Sequence, residues 1–473
     1  MKKLVYSLFL FSLMCNFTLP LNAQRAKVRK TEAKVKMITT PVPVRPAGQK
    51  DVLGLDTPKM DVVRVGFIGL GMRGPGAVSR FTYLKGVEIK GLCDLHADRV
   101  EKCQQILKKA GLPEATGYSG SEDAWKKMCD RKDIDLIYIA TDWKHHAEMM
   151  IYAMEHGKHV ACEVPAAMTL KEIWDVINTA ERTQKHCMQL ENCVYDFFEL
   201  TTLNMAQKGV FGDILYTEGS YIHNLEEFWP SYEGDWRLKY NKEHRGDVYA
   251  THGMGPACQL LDIHRGDKMN YLVSMDSDPV SIPNYIKNVR KEDPNGFKNG
   301  QHTMTMIRTE KGKTIHIQHD VASPRPYSRM YQCTGTKGFA QKYPVEGYAL
   351  QSSQVDSSIT PNHEDLNSHS FVPTEVKDAL MKKYKHPIHV ELEETAKKVG
   401  GHGGMDFIMD YRLIYCLQNG LPLDMDVYDL AEWCCLAPLT AISIENGSAP
   451  VAIPDFTRGN WDKIKGFRHA FAK

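Results

Sequence analysis

An apolar run over Val62 to Gly69 passes directly into Gly69-Leu70-Gly71-Met72-Arg73-Gly74 and then into a helical stretch near residues 75 to 84. Few folds accommodate a strand, a GxGxxG turn and a helix in that order, because each glycine has its own mechanical task. Gly69 permits the tight turn, Gly71 lets backbone amides approach a pyrophosphate, and Gly74 lets the helix lie close to the sheet. A second apolar run, Val87 to Cys93, ends at Asp94. That is about 20 residues beyond the glycines, where a carboxylate can accept hydrogen bonds from both hydroxyls of an adenosine ribose. Asp94 repels a 2'-phosphate and no arginine follows it at once, so NAD is expected rather than NADP.

Further apolar runs at Ile134 to Ala140 and His159 to Cys162 alternate with helical stretches near 98 to 110, 146 to 155 and 170 to 183. Continuous apolar strands separated by helices are what a parallel sheet covered on both faces requires. After about residue 196 the strands alternate polar and apolar: His302 to Thr309 and Thr314 to His319 flank Lys311-Gly312-Lys313, a hairpin pattern. Helical runs return near 374 to 385, 405 to 418 and 427 to 442, and no internal repeat is present. The expected fold class is α/β: an N-terminal Rossmann domain with a doubly wound parallel sheet over 61–195, then a C-terminal α+β domain over 196–473 built on a large, mostly antiparallel open sheet. A length of 473 residues is enough for two such domains.

Lys2 and Lys3, the apolar run Leu4 to Met14 and the small-residue exit at Leu21-Asn22-Ala23-Gln24 have the three-part build of a secretory signal over 1–23. The run is too short to span a bilayer, so an exported protein, periplasmic or secreted, is expected. Lipid anchoring at Cys15 is disfavoured because Met14 stands where a small residue is wanted. Residues 24–60 are basic, carry Pro41, Pro43 and Pro46, and read as a linker. Lys and Arg number 59 against 58 Asp and Glu, a net charge of +1 that offers no field for nucleic acid. The 12 cysteines lack the spacing of a disulfide framework and read as buried thiols. No CxxC or Cys/His pair has zinc spacing, so no metal is expected.

Downstream of the glycine turn lie Thr141-Asp142-Trp143-Lys144-His145-His146, Gly157-Lys158-His159-Val160 and Cys162-Glu163-Val164-Pro165. Together these resemble the glucose-fructose oxidoreductase and inositol dehydrogenase (Gfo/Idh/MocA) superfamily, whose open C-terminal sheet often builds oligomers. That resemblance implies self-association through the C-terminal sheet. The pattern is broken at two places. The lysine of the superfamily's Glu-Lys-Pro is Val164, which can neither donate, accept nor carry charge. The second half of its site is replaced by Gly246-Asp247-Val248-Tyr249-Ala250-Thr251-His252-Gly253-Met254-Gly255-Pro256. With Glu191-Asn192, Tyr195, Trp236-Arg237, Arg325-Pro326-Tyr327 and Gly400-Gly401-His402-Gly403-Gly404-Met405-Asp406, the chain resembles family 109 of the glycoside hydrolases, the NAD-dependent α-N-acetylgalactosaminidases.

This resemblance implies cleavage of terminal α-linked N-acetylgalactosamine from glycans or glycoconjugates. The sugar is oxidised at C3, loses its C2 proton, expels the C1 aglycone, adds water and is reduced again. The cycle is redox-neutral, which reconciles a cofactor-dependent enzyme with export into a compartment poor in NAD. It implies an NAD set of Gly69, Gly71, Met72, Arg73, Gly74, Asp94, Trp143, Lys144, His145, His146, Glu163, Val164, Asn192 and Tyr249. It implies a sugar set of Tyr221, Arg237, Tyr249, Ala250, Thr251, His252 and Tyr327. His252, Tyr249 and Tyr195 are the candidates for proton transfer, and a tyrosine base needs its phenol lowered by a nearby cation. His145 serves equally well as the start of a helix. The glycine cluster 400–404 is left outside the site. A net sugar or polyol dehydrogenase, and a non-catalytic NAD-dependent sugar sensor, are the competing functions.

Overall fold

A computed structural model of the protein describes residues 36–471, so the signal-like segment 1–23 and the start of the 24–60 segment lie outside the described residues. Strand β1 (Val63–Ile68) is buried along its length except at Arg64. It sits at the middle of a sheet with β2 (Val87–Cys93), β3 (Thr116–Tyr118), β4 (Leu136–Ile139), β5 (His159–Cys162) and β6 (Cys187–Gln189). Every pairing is parallel and the order is β3-β2-β1-β4-β5-β6. This is the doubly wound Rossmann order, which reverses between β1 and β4 and opens a crevice at their carboxyl ends. The crossovers are α1 (Gly74–Phe81), α2 (Ala97–Lys109), α3 (Ala124–Cys129), α4 (Trp143–Glu155) and α5 (Leu170–Thr183). A capping box starts α5: Thr169 Oγ1 accepts from the Glu172 N–H at 3.1 Å, and Glu172 Oε2 accepts from the Thr169 N–H at 3.0 Å.

The second sheet has eight strands: β7 (Ile214–Ile222), β8 (Met269–Asp276), β9 (Thr303–Thr309), β10 (Thr314–Asp320), β11 (Gln332–Gly335), β12 (Gly338–Gln341), β13 (Gly347–Leu350) and β14 (Val451–Ala452). Only the β7–β10 pairing is parallel. The expected hairpin is β9–β10, with Ile307 opposite Ile315. Along β9, Thr303, Thr305, Ile307 and Thr309 are buried while Met304 and Met306 are exposed, so one face of the sheet is covered and the other is open.

On the covered face, helix α8 (Thr251–Leu260) lies backbone to backbone against β7. The helices between α5 and it are α6 (Phe197–Gln207) and α7 (Trp236–Glu243). A Cβ on Gly219 would stand 2.5 Å from the Gly253 carbonyl oxygen, and one on Gly253 would stand 2.6 Å from the Ser220 nitrogen. The glycines around His252 thus seat the start of α8 directly on the strand that carries Tyr221. Gly253→Ala is expected to force the two apart, costing about 1–3 kcal/mol. A urea midpoint equal to that of the parent would remove this reason for the glycine.

From residue 37 on, the 24–60 segment is not a linker, since it belongs to the same compact unit as the rest of the chain. Ile38 bridges to Val451, Val52 and Leu53 are buried, and Arg45 Nε donates to Glu181 at 2.9 Å. Arg458 Nη1 donates to the same carboxylate at 2.7 Å. All the cysteines among the described residues are free and buried, as expected.

Candidate active site

The crevice at the ends of β1 and β4 continues beneath β7 as one cleft of about 1160 Å³. Its floor is the glycine turn. Gly69 has φ +88°, and a Cβ there would stand 2.6 Å from the Ala140 carbonyl. A Cβ on Gly74 would stand 2.1 Å from the Gly69 oxygen. The packing of the protein itself therefore demands both glycines. Gly71 is different: its φ lies outside the left-handed region, and the nearest atom to an added Cβ is Arg99 Nη1 at 3.6 Å. The fold leaves Gly71 free to be larger, so its smoothness serves whatever lies in the cleft, which fits the close approach of a pyrophosphate. Gly71→Val is accordingly expected to leave the stability of the cofactor-free protein unchanged and to abolish NAD binding in a fluorescence titration. Retained binding would contradict this use of the turn.

Asp94, buried at the end of β2, accepts from the Leu70 N–H at 2.7 Å through Oδ2 and from the His96 N–H at 2.9 Å through Oδ1. It braces the turn as well as facing the cleft. Although no arginine follows at once, Arg99 reaches back from α2 to 3.4 Å from Asp94. The same guanidinium is 2.8 Å from Glu233, which also meets His96 Nε2 at 2.6 Å. Arg99 is thereby paired to two carboxylates, a disposition unlike a free cation waiting for a 2'-phosphate.

Along the middle of the cleft, Met72, Arg73, Glu163, Val164 and Asn192 form the wall. Arg73 Nε donates to Glu163 at 3.1 Å, and Asn192 Nδ2 donates to Asp406 at 2.5 Å. His402 Nδ1 lies 2.9 Å from Asp406. Burial pushes the Asp406 carboxyl up, but the His402 hydrogen bond and the charges of Arg73 and Arg80 outweigh it and hold the group well below the usual carboxylate range. The glycine cluster 400–404 therefore does contribute, because it carries His402 to the cleft. Trp143 and His145 line the wall at the start of α4, with His145 Nδ1 at 2.5 Å from Asp142. The Lys144 side chain is exposed away from the cleft, because successive residues of a helix point about 100° apart. Both His146 ring nitrogens meet backbone carbonyls, Pro165 at 2.8 Å and Thr141 at 3.0 Å, and burial lowers its affinity for a proton. His146 thus lines the cleft while both of its ring nitrogens are engaged by two loops.

At the far end, Tyr221 on β7, Arg237 on α7, and Tyr249 and His252 at the start of α8 converge with Trp143. The Tyr249 ring stacks on Trp143 with centroids 5.6 Å apart. The Arg237 guanidinium lies 4.6 Å over Tyr249, 5.0 Å over Trp143 and 5.2 Å over Tyr232, within cation–π reach of all three. Its Nη1 donates to Tyr232 Oη at 2.7 Å and its Nε has no partner. The other fully buried arginines among the described residues, Arg80, Arg265, Arg329 and Arg412, each hold a carboxylate at 2.6 to 2.7 Å. Arg237 holds none.

His252 Nε2 is 3.3 Å from Tyr249 Oη, and its Nδ1 is 2.7 Å from Glu191 Oε1. Burial pushes the Tyr249 phenol well above its usual value, and the nearby Arg237 offsets this only in part. Tyr249 is thus a hydroxyl donor and not a resting base, contrary to the lowered phenol that a tyrosine base requires. Tyr195 is not in the site. The short turn Asn192–Tyr195 carries its ring into the core, where Oη donates to Asp424 at 3.0 Å beside Arg412, and burial raises the phenol further. Ala250 and Thr251 are buried behind the wall and do not line the cleft, whereas Tyr327, 41% exposed, lies at its rim.

Besides His402, three more residues missing from the expected set belong to the site. His223 lines the cleft with Nδ1 3.0 Å from Tyr221 Oη, and burial first and Arg237 second bring it down to about 4. Tyr232 caps Arg237. Glu191 stands behind His252; its only sequence signal is the Glu191-Asn192 pair itself.

Two family models match the chain: an oxidoreductase family with an NAD-binding Rossmann fold over residues 63–190, and the glycosyl hydrolase 109 C-terminal domain over 195–463. The chain is 74% identical over 439 residues to a glycosyl hydrolase family 109 protein 1 of Bacteroides fragilis, covering 93% of this chain and 95% of that one. It is 67% identical over 473 residues to a glycosyl hydrolase family 109 protein of Porphyromonas gingivalis, covering 99% and 100%. Among solved structures, a levoglucosan dehydrogenase in complex with NADH and levoglucosan superposes with a TM-score of 0.59 at 17% identity, over 83% of this chain and 100% of that one. A scyllo-inositol dehydrogenase from Lactobacillus casei with bound NAD(H) and scyllo-inositol gives 0.56 at 12% identity, over 83% and 99%. These two likenesses establish the shared fold.

Proposed function

Since the chain belongs to glycosyl hydrolase family 109, we propose that it is an exported glycosidase that releases terminal α-linked N-acetylgalactosamine with retention, through oxidation, elimination, addition of water and reduction. The observation that carries the reading is the state of the carboxylates in and just short of the sugar end of the cleft. Glu163 is committed to Arg73 and Glu191 to His252. An ordinary glycosidase needs two carboxyl groups flanking the scissile bond, one to protonate the leaving oxygen and one to attack or activate water. The cleft offers instead a histidine, a tyrosine hydroxyl and a buried, carboxylate-free arginine, a set suited to moving protons next to a carbonyl.

NAD, when bound, supplies a reversible hydride acceptor, and the glycine turn, Asp94 and the Met72–Arg73 wall would hold it. The protein's own groups do the remaining work. His252 and Tyr249 take the hydroxyl proton of the sugar as it is oxidised, pass it to water in the cleft, and then take the proton at C2, where the neighbouring ketone makes the C–H acidic. Arg237, set among the rings of Trp143, Tyr221 and Tyr232, balances the negative charge that develops on the ketone oxygen as C2 loses its proton. Loss of the C2 proton expels the aglycone from C1 with the C–O electron pair; water then adds at C1 and the same pair returns the protons.

Val164, in the cleft wall, offers no proton in place of the lysine of net sugar dehydrogenases. The reading also includes association of two copies through the open face of the second sheet, where Met275, Met304 and Met306 are exposed. Its direct test is a pair of chromogenic α-N-acetylgalactosaminides, one intact and one lacking the 3-hydroxyl. Cleavage of the first and inertness of the second is the expected result. Equal cleavage of both would mean that no oxidation at C3 is needed.

A further inference from the structure

Glu191 is fully buried at the end of β6, and its place there has a local cause. It caps the short turn Asn192–Tyr195, with Oε1 accepting the Cys193 N–H at 3.1 Å, so the backbone of the turn fixes the carboxylate before His252 meets it. His252 comes from a distant part of the chain and is seated by the close contact of α8 with β7. The two meet at 2.7 Å, Nδ1 to Oε1. The other groups facing His252 are Tyr249 from its own segment, Tyr221 from β7, His223 just beyond its end, Cys193 from the turn, and Arg237 from α7 behind Tyr221. Of these only Glu191 is an acceptor for Nδ1.

We infer that Glu191 is the positioning residue of the reaction: it holds the Nδ1 proton of His252, so that the lone pair of the neutral imidazole stands on Nε2, the nitrogen that meets Tyr249 in the cleft. This rests on the function proposed above. Burial alone raises the carboxyl, yet the His252 ring and the Cys193 amide outweigh it and keep Glu191 below its usual range. An ionised Glu191 therefore accepts from Nδ1 and faces the positive charge that His252 gains when Nε2 takes up a proton. The transfer balances simply: the sugar loses a proton to Tyr249 Oη as the Tyr249 proton passes to Nε2, while the Nδ1 proton stays against Glu191. Without the carboxylate, nothing would hold the proton of the neutral ring on Nδ1, and the imidazolium would form unpaired.

The test is Glu191→Gln in the NAD-loaded full chain, read in two ways. Nitrogen NMR of the His252 ring, taken without substrate, is expected to show one Nδ1-protonated tautomer in the parent and a mixture in the variant. Steady-state hydrolysis is expected to lose about 10²–10³ in kcat with KM within threefold, as a group acting on proton transfer and not on sugar binding should. Glu191→Asp, which keeps the charge one methylene further away, should keep the single tautomer and lose less than tenfold. If either the tautomer or kcat of Glu191→Gln stays at the parent's value, the inference is overturned. Should that variant not fold, a mixed tautomer in folded Glu191→Asp overturns it equally. A parent with an Nδ1-protonated ring and no glycosidase activity would sink the proposed function while leaving the tautomer assignment standing.

Discussion

His252→Ala is expected to bind NAD as tightly as the parent and to lose about 10³–10⁴ in kcat for α-N-acetylgalactosaminide cleavage. The ring sits at the start of α8, partly exposed to the cleft, and touches Tyr249 and Glu191 with its two nitrogens. Among the described residues no other imidazole at the sugar end has that placement: burial and then Arg237 bring His223 down to about 4, His146 is bonded to two carbonyls, and His145 is turned to Asp142. The rings nearest the sugar end therefore offer no substitute base. Alanine there leaves the Gly253 contact untouched but strands the buried Glu191 carboxylate, so a loss of about 3–5 kcal/mol in stability is expected beside the loss of activity. Loss of NAD binding in this variant, with the fold intact, would move His252 from the proton path to the cofactor site.

Arg237→Met should separate stability from activity in opposite directions. A fully buried guanidinium with no carboxylate within reach is an uncompensated charge, costing several kcal/mol that its bond to Tyr232 and the surrounding ring faces only partly offset. Methionine has similar reach without the charge, so the cofactor-free variant is expected to gain about 1–2 kcal/mol in urea unfolding. Cleavage is expected to fall by about 10²–10³ in kcat, the usual loss on removing one preorganised group facing a developing oxyanion. A destabilised variant would make Arg237 a structural strut, and full activity would remove it from the reaction. The same substitution at Arg412, which is paired with Asp424 at 2.7 Å, should instead destabilise by about 3–5 kcal/mol because it strands a carboxylate.

The first half of the fold is plain in the chain because a strand buried on both faces is mostly apolar, and β1, β4 and β5 fall where those runs lie, while β2 carries Glu88 and Lys90 and is buried only over its last three residues. Strands β3 and β6 span three residues each, too few to show any period, and only their neighbours in the sheet define them. The segment after residue 37 reads as a linker from its prolines and charges. What orders it is long-range: the Glu181 carboxylate, shared by Arg45, Arg458 and Tyr428, lies far away in sequence.

The site follows the same division. The glycine turn and Asp94 announce themselves because backbone geometry demands particular residues at particular spacings. Tyr249, His252, Tyr221, Arg237 and Tyr327 gather as the family resemblance implies. Tyr195 fails because neighbourhood in sequence says nothing about which way a short turn throws a side chain, and Lys144 fails because adjacent helical residues face different ways. Glu191 is legible only as half of a pair, since its meaning depends on a histidine that the chain brings back to it from a later helix.

The central claim is that one proton leaves C2 of the sugar during each cleavage while the cofactor ends as it began. The most direct measurement is hydrolysis of a chromogenic α-N-acetylgalactosaminide by the purified protein in deuterated water, with absorbance followed for NADH and the released sugar analysed for deuterium at C2. Aglycone release with deuterium at C2 and no accumulation of NADH is the expected result. Release of aglycone with C2 still carrying only protium would contradict it, as would NADH forming in step with product.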